Sequence, residues 1–339
     1  MSVSVLAEKV RFLSDPSSYP RMTKRVEAKE THMSWVFLTD DRVYKLKKPV
    51  KYPFLDFSTL SRRRFFCNEE LRLNLRLARE TYCAVVPLRS GPAGGLTLSG
   101  HGEAVDYLVE MKRLPLDDML AARLARGTAA QEDIRRVGEA MAAFYAGCRP
   151  EIADGHLYLA HLRQEQAVNR EILEKPELGV RDAAVPMLDA LDGMLERLAP
   201  KIERRIAAGH IVEGHGDLRP EHVHLGEPVQ VIDCLEFSRA MRILDPYDEI
   251  GYLGLECAML GAQWVRPMLL DLLEKRLGGR PEKDVLALYG GFRALLRARL
   301  CIAHLLDAVV RHPEKWRPAA LSYIAMAESE LSPLCRADR

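Results

Sequence analysis

The sequence predicts an α+β protein of two lobes, a small β-rich lobe carrying one helix and then a large, mainly helical lobe. Three observations predict it. Short apolar runs bounded by turn residues fill the first hundred or so positions, whereas apolar residues recur with a helical period after Met111. One helical pattern, from Ser58 to about Leu77, is set into the β-rich part. A polar island, His215–Glu236, then interrupts the helical part with short apolar runs. The change in composition places the boundary near residue 113, giving lobes 1–113 and 114–339.

The 339 residues are enough for a large core. Apolar content is 48%, charged content is 29%, and the net charge is +1. No general basic field favours nucleic acid. The basic runs are local: Lys45, Lys47, Lys48 and Lys51 in one cluster, and Arg62-Arg63-Arg64 at the head of a helix. The seven cysteines are odd in number and scattered, with no Cys-x-x-Cys pair. A disulfide framework or zinc knuckle is not expected, and a reducing cytoplasm is. With no run of about 18 apolar residues and no leader pattern, no membrane span is expected.

In chain order, Val5, Leu6, Val10 and Leu13 can form one short helical face, ended by Ser14-Asp15-Pro16-Ser17-Ser18. Trp35–Leu38 and Val43–Lys47, separated by Thr39-Asp40-Asp41-Arg42, read as a hairpin. Alternation puts Val43, Lys45 and Lys47 on one face of the second strand and Tyr44 and Leu46 on the other. A strand lysine must be exposed or paired, and Lys45 alone would read as an edge-strand lysine that blunts pairing. Lys48–Pro53 is a loop. Ser58 or Ser61 can cap the following helix, in which Glu69 and Glu70 point about 100° apart. Ala84–Leu88, Gly94–Leu98 and Val105–Met111 read as strands. Leu114-Pro115-Leu116 is a connector, and Asp117 can cap a helix after it. Helices are expected over 131–145, 158–174, 183–207, 282–306 and, after Pro318, 319–331. Between them, Ile211-Val212, Val223–Leu225 and Val229–Ile232 frame a strand, a polar loop, a short hairpin and a carboxylate at a strand end.

This layout resembles the protein-kinase-like fold, and more closely its choline kinase and aminoglycoside phosphotransferase branch, over roughly Trp35 to Leu306. Val43-Tyr44-Lys45-Leu46-Lys47-Lys48-Pro49, Phe54-Leu55-Asp56-Phe57-Ser58-Thr59-Leu60 and Asn68-Glu69-Glu70-Leu71-Arg72-Leu73-Asn74 match an aminoglycoside phosphotransferase-like family within it. A P-loop kinase domain follows in many such proteins. No G-x-x-x-x-G-K-[ST] occurs here, so a stand-alone phosphotransferase is expected. The branch uses H-G-D-x-x-x-x-N as its catalytic loop, and this chain reads His215-Gly216-Asp217, with His222 where the asparagine would stand.

The resemblance implies ATP, Mg²⁺ and a small-molecule hydroxyl acceptor, with GTP as the alternative nucleotide. Asp217 would orient the acceptor hydroxyl and take its proton. His215 would brace the loop, and Arg219 would offset charge on the transferred phosphoryl oxygens. Asp233, sixteen residues after Asp217, would anchor the metal, with Glu236 close by. His222 departs from the pattern: as a metal ligand it would bind Mg²⁺ weakly or favour Mn²⁺, and otherwise it would contact phosphate. Lys45, or Lys47 on the same face, would meet the α/β-phosphates, paired to Glu70 or Glu69. Ser34, in Thr31-His32-Met33-Ser34-Trp35, would cover the phosphates in place of a glycine loop. Glu110-Met111-Lys112 would be the adenine-binding hinge. Asp248 would brace the catalytic loop, or else simply favour a helix N-terminus.

Three other readings compete. His215, Asp217, His222, His224 and Asp233 could be hydrolase metal ligands, with His222 and His224 on one strand face. The chain could be a non-catalytic pseudokinase. The Arg219-Pro220-Glu221 run would suit a kinase acting on a protein hydroxyl.

Overall fold

The computed structural model describes residues 3–52, 55–91, 95–152, 155–307 and 309–335. Pro53, Phe54 and Gly94, which the sequence reading placed in a loop, a family motif and a strand, lie outside the described residues. The chain divides into two compact units. One contains residues 1–127 with 221–239, and the other 128–220 with 240–339.

The first unit begins with helix α1 (Val3–Leu13) and strands β1 (Glu27–Glu30), β2 (Ser34–Leu38) and β3 (Arg42–Lys47). The short pair β4 (Lys51–Tyr52) and β5 (Leu55–Asp56) precedes helix α2 (Leu60–Asn74). Strands β6 (Tyr82–Ser90), β7 (Leu96–Thr97) and β8 (Ala104–Lys112) follow, then helix α3 (Leu120–Ala125). Six strands form one sheet in the order β1-β2-β3-β8-β6-β7, with every pairing antiparallel. The expected hairpin is β2–β3, with Leu38 opposite Val43 and its turn closed by Thr39 N–H on the Arg42 carbonyl at 2.8 Å. Because β3 runs between β2 and β8, Lys45 is not an edge lysine.

The two faces of the sheet have different covers. Tyr44 and Leu46 pack with Leu13, Phe37, Leu88 and Leu108, against which Leu6 and Val10 of α1 also lie. Val43, Val109 and Met111 pack with Cys67 and Leu71 of α2. Strand alternation therefore turns Lys45 and Lys47, like Val43, toward α2. The cap of α2 is Thr59, whose hydroxyl accepts the Arg62 N–H, and not Ser58 or Ser61. Ser58 is drawn away by Asp56, which accepts both its N–H (3.0 Å) and its hydroxyl (2.6 Å), and Ser61 already lies inside the first turn. Asp117 caps nothing either, because α3 starts three residues later and the carboxylate takes Arg126 instead.

The second unit is built from α4 (Gln131–Ala146), α5 (His156–Leu173), α6 (Arg181–Ala207) and strand β9 (Val212–Glu213). The chain then returns to the first unit for β10 (Val223–His224) and β11 (Gln230–Val231), which pair with each other. It re-enters the second unit with β12 (Ile243–Leu244), paired to β9, and α7 (Pro246–Met259), α8 (Val265–Leu277), α9 (Lys283–Ala303) and α10 (Pro313–Cys335). One core joins α5, α6, α9 and α10. Pro318 lies within α10 and does not precede it. Packing of α10 on α9 overrides the single missing N–H, as it also must for Pro186 and Pro200 inside α6. No described helix is long and apolar enough to cross a membrane.

A buried ion cluster ties the first unit together. Asp106 of β8 accepts Lys9 of α1 at 2.7 Å and Arg63 of α2 at 2.8 Å, and Arg63 also donates to the Phe57 carbonyl at 3.1 Å. All three ionic side chains are almost wholly buried. Asp106→Ala strands two buried cations, and is expected to lower stability by about 3–5 kcal/mol, read as a fall in the urea midpoint of the first unit.

Candidate active site

In the first unit the structure joins five of the singled-out side chains, Lys45, Lys47, Glu70, Asp233 and Glu236, in one ion network. Lys45 Nζ donates to Glu70 Oε1 at 2.9 Å and to Asp233 Oδ1 at 2.8 Å. Lys47 Nζ donates to Glu70 Oε2 at 2.6 Å and also to Glu236. Glu70 thus receives both lysines. Glu69, one residue and about 100° away, faces outward and pairs with Arg72 at 2.8 Å. The lysines differ in access: the Lys47 side chain is 0% exposed and that of Lys45 17%.

The electrostatics follow from burial against pairing. Burial alone would lower the pKa of Lys45, but Asp233, Glu70 and Glu236 overcome it and hold its ammonium well above the usual range. Lys47 is likewise held up by Glu236 and Glu70 against the same burial. Burial would raise Glu70, yet Lys45 and Lys47 keep its carboxyl below the ordinary range. Lys45, Lys47 and Glu70 are therefore all held in their charged forms, and the two lysines also meet the carboxyl groups of Asp233 and Glu236.

The same helix that carries Glu70 also holds the Asp233 loop. Asn74, one turn on, donates to the Glu70 carbonyl at 2.8 Å and accepts the Cys234 N–H at 3.0 Å. The Val231 N–H reaches the Leu77 carbonyl at 3.2 Å. Asp233 N–H donates to the Tyr82 hydroxyl at 3.1 Å. Asp233 itself has φ 63°, a left-handed conformation that Asp tolerates better than most residues, and its side chain is 47% exposed. His222 Nε2 lies 3.7 Å from Asp233 Oδ2. The His222 carbonyl accepts the Ile232 N–H at 2.9 Å.

His222 belongs to the turn Pro220–His222 before β10, so it and His224 do not share a strand face, as the hydrolase reading required. His224 Nδ1 instead accepts the Gly226 N–H at 3.3 Å. Ser34 begins β2 opposite Lys47, and its N–H donates to the Thr31 hydroxyl at 2.9 Å. Glu110 and Met111 lie within β8, paired on one side to Tyr44 and Val43 and on the other to Ala84 and Tyr82.

In the second unit, the loop after β9 is fixed by a carboxylate that sequence reasoning missed. Glu249 of α7 accepts the N–H groups of His215 (3.0 Å) and Gly216 (2.5 Å) and the Tyr145 hydroxyl (2.7 Å). A Cβ on Gly214 would stand 2.6 Å from Glu249 Oε2, so the carboxylate needs glycine there. Burial pushes the Glu249 carboxyl up, against the pull of those three donors. His215 is fully buried, and its Nδ1 accepts the Asp217 N–H at 3.3 Å. The Asp217 carboxylate takes Arg219 Nε at 3.1 Å and the Tyr252 hydroxyl at 3.3 Å.

Asp248 does not brace this loop. It forms a two-pronged pair with Arg293 (2.8 and 2.7 Å) and accepts the Tyr158 hydroxyl at 3.1 Å. The signal for Glu249 was present as a pair of adjacent acids behind the helix cap Asp245. Tyr252 lies one turn beyond Asp248 on α7, as Asn74 does beyond Glu70 on α2.

Comparisons with known proteins fit this architecture. No family model matches the chain. Uncharacterized proteins of Mycobacterium bovis and Mycobacterium tuberculosis are 30% identical over 291 residues, which is 81% of this chain and 54% of theirs. The chain therefore spans about half the length of the curated relatives it matches. Among solved structures, a choline/ethanolamine kinase family protein from Mesorhizobium loti superposes with TM-score 0.52 at 14% identity, over 95% of each chain. Choline kinase LicA from Streptococcus pneumoniae gives 0.52 at 12% identity, over 95% of this chain and 98% of its own. The GDP and kanamycin complex of APH(2")-IIia gives 0.53 at 12% identity, over 97% and 99%. The fold is protein-kinase-like, of the kind found in choline kinases and aminoglycoside phosphotransferases.

Glu249→Ala leaves two buried amides and a hydroxyl without their acceptor and is expected to cost about 2–4 kcal/mol. Glu249→Gln, which keeps an accepting oxygen, should cost clearly less. Thermal unfolding of both variants against the parent checks the order.

Proposed function

We propose that the chain is an ATP- and Mg²⁺-dependent phosphotransferase that moves the γ-phosphoryl group to a hydroxyl of a small polar molecule. The observation that carries the reading is Lys45, an interior-strand ammonium held at 2.9 Å by Glu70 and 2.8 Å by Asp233, in a fold shared with choline kinases and aminoglycoside phosphotransferases. Kinases use such a lysine on the α/β-phosphates and a helix glutamate to hold it. Lys45 is the better choice over Lys47, because only Lys45 has solvent access.

The donor set fits a divalent cation. Three carboxyl side chains face two lysines, and of the three only Asp233 is open to solvent. Asp233 would hold the ion, with His222 beside it and Glu236 supporting from behind through Lys47. A bound dication there supplies charge that offsets the phosphate oxygens.

In this reading Asp217 orients the acceptor hydroxyl and takes its proton. Tyr252 and Arg219 aim its carboxylate, while His215 and Glu249 fix the backbone beneath it. Arg219 turns from Asp217 to the phosphoryl oxygens as their charge develops. The base contacts move along the chain from Glu110-Met111, whose backbone is committed to β8, to the residues after Arg113. Ser34 is buried and its amide is already bonded to the Thr31 hydroxyl, so exposed His32 is better placed to cover the phosphates. Residues 1–113 supply the lysine and its glutamate to the nucleotide, and 114–339 supply the remaining nucleotide contacts, the metal carboxylate, the catalytic base and the acceptor site. GTP is the second nucleotide to test, because the APH(2")-IIia structure is a GDP complex.

The test is a screen of hydroxyl-bearing metabolites, antibiotics and a protein substrate with γ-labelled ATP. Asp217→Ala should lower transfer by about 10²–10⁴-fold while ATP still binds. Lys45→Met should weaken ATP binding itself, measured by calorimetry. ATP binding without metal and without any labelled product would leave a pseudokinase. Label on protein alone would move the acceptor to a protein hydroxyl.

A further inference from the structure

The position where the phosphotransferase branch carries a metal-binding amide is an imidazole in this chain, and the structure shows where that imidazole goes. His222 is buried, with Nε2 3.7 Å from Asp233 Oδ2. Its backbone is pinned to the loop that carries Asp233 by the bond from Ile232 N–H to the His222 carbonyl. Asp233 Oδ1 is taken by Lys45 at 2.8 Å, which directs the other oxygen, Oδ2, toward His222. Glu236 is buried on Lys47 and stands away from solvent. One carboxylate oxygen and one ring nitrogen therefore face each other at the exposed end of the cluster. Two donors each about 2.1 Å from a common ion stand about 3.0–4.2 Å apart, from right-angle to opposed geometry, and the observed separation falls inside that span.

We propose that Asp233 and His222 form a mixed oxygen–nitrogen site for a first-row transition-metal dication, with Mn²⁺ preferred over Mg²⁺. Mg²⁺ demands near-octahedral oxygen ligation and sheds water reluctantly, whereas imidazole is a natural ligand for transition-metal dications. The use of the ion rests on the phosphotransferase reading, but its coordination does not.

The experiment is electron paramagnetic resonance of the full chain with MnCl₂, first alone and then with ADP. Electron spin echo modulation is compared between natural-abundance protein and protein labelled with ¹⁵N-histidine. The expected result is one bound Mn²⁺ whose nitrogen modulation changes with the label. Displacing it should take at least about tenfold more Mg²⁺ than Mn²⁺. His222→Asn should abolish the nitrogen modulation and bring the two ions closer in affinity, and Asp233→Asn should remove the site. A bound Mn²⁺ without histidine modulation overturns the proposal, as does a Mn²⁺/Mg²⁺ ratio that His222→Asn leaves unchanged, or no binding with or without ADP. Histidine modulation with no transfer to any acceptor would sink the phosphotransferase reading and leave this site standing. Mg²⁺-supported transfer with no histidine modulation would do the reverse.

Discussion

The first unit depends on one buried carboxylate shared by two lysines. Glu70 is cut off from water, and an isolated charge there would be prohibitive. Lys45 and Lys47 remove the penalty, but only if α2 lies over the face of β3 that carries both. The requirement fixes more than one ion pair. With Glu70 seated, Asn74 falls one turn further along the same helix face, where it holds the backbone of Cys234. The loop bearing Asp233 is thereby positioned by the same helix that positions the lysines. Lys45 then closes the circuit by binding Asp233 directly.

The second unit uses a different solution to a similar problem. Glu249 is also a buried carboxylate, but it is satisfied by two backbone N–H groups and a tyrosine hydroxyl in place of cations. Backbone donors do not swing away as side chains do, so the loop from His215 to Asp217 has little freedom. Asp217 lies at the end of that loop, and Arg219, two residues on, bonds its carboxylate. Each unit thus places an acid on a helix to immobilise a neighbouring loop, in one case through a charge network and in the other through main-chain amides.

Much of this was legible in the sequence, and the reasons are specific. Period-two alternation put Lys45 and Lys47 on one face, and apolar periodicity located α4, α5, α6 and α9. Helix α7 gave no such signal, because its residues from Pro246 to Cys257 are all buried and a helix buried all round has no polar stripe. Adjacent acids were the hardest positions to separate. Glu69 and Glu70, like Asp248 and Glu249, are equivalent in composition, and only the rotation of the helix on its neighbours decides which one turns inward. The Asp248–Glu249 pair went to the loop-bracing role in the reverse order from the resemblance, since Arg293 on α9 claims Asp248. Caps slipped by a residue for a similar reason: Ser58 was already bonded to Asp56, a competition no propensity records.

The second lysine explains how the cluster separates its tasks. A single lysine between Glu70 and Asp233 would leave Glu236 a buried carboxylate without a cation. Lys47 takes Glu236 and the far oxygen of Glu70, making a closed, solvent-free pair behind the exposed one. Asp233 is then the only one of the three carboxylates with substantial exposure, and it is held in a backbone conformation that few residues adopt without support. That conformation is sustained by Tyr82 on its amide and by Lys45 on its carboxylate. The left-handed backbone, the exposure and the bond to Lys45 therefore coincide at one side chain, the one proposed to meet the cation.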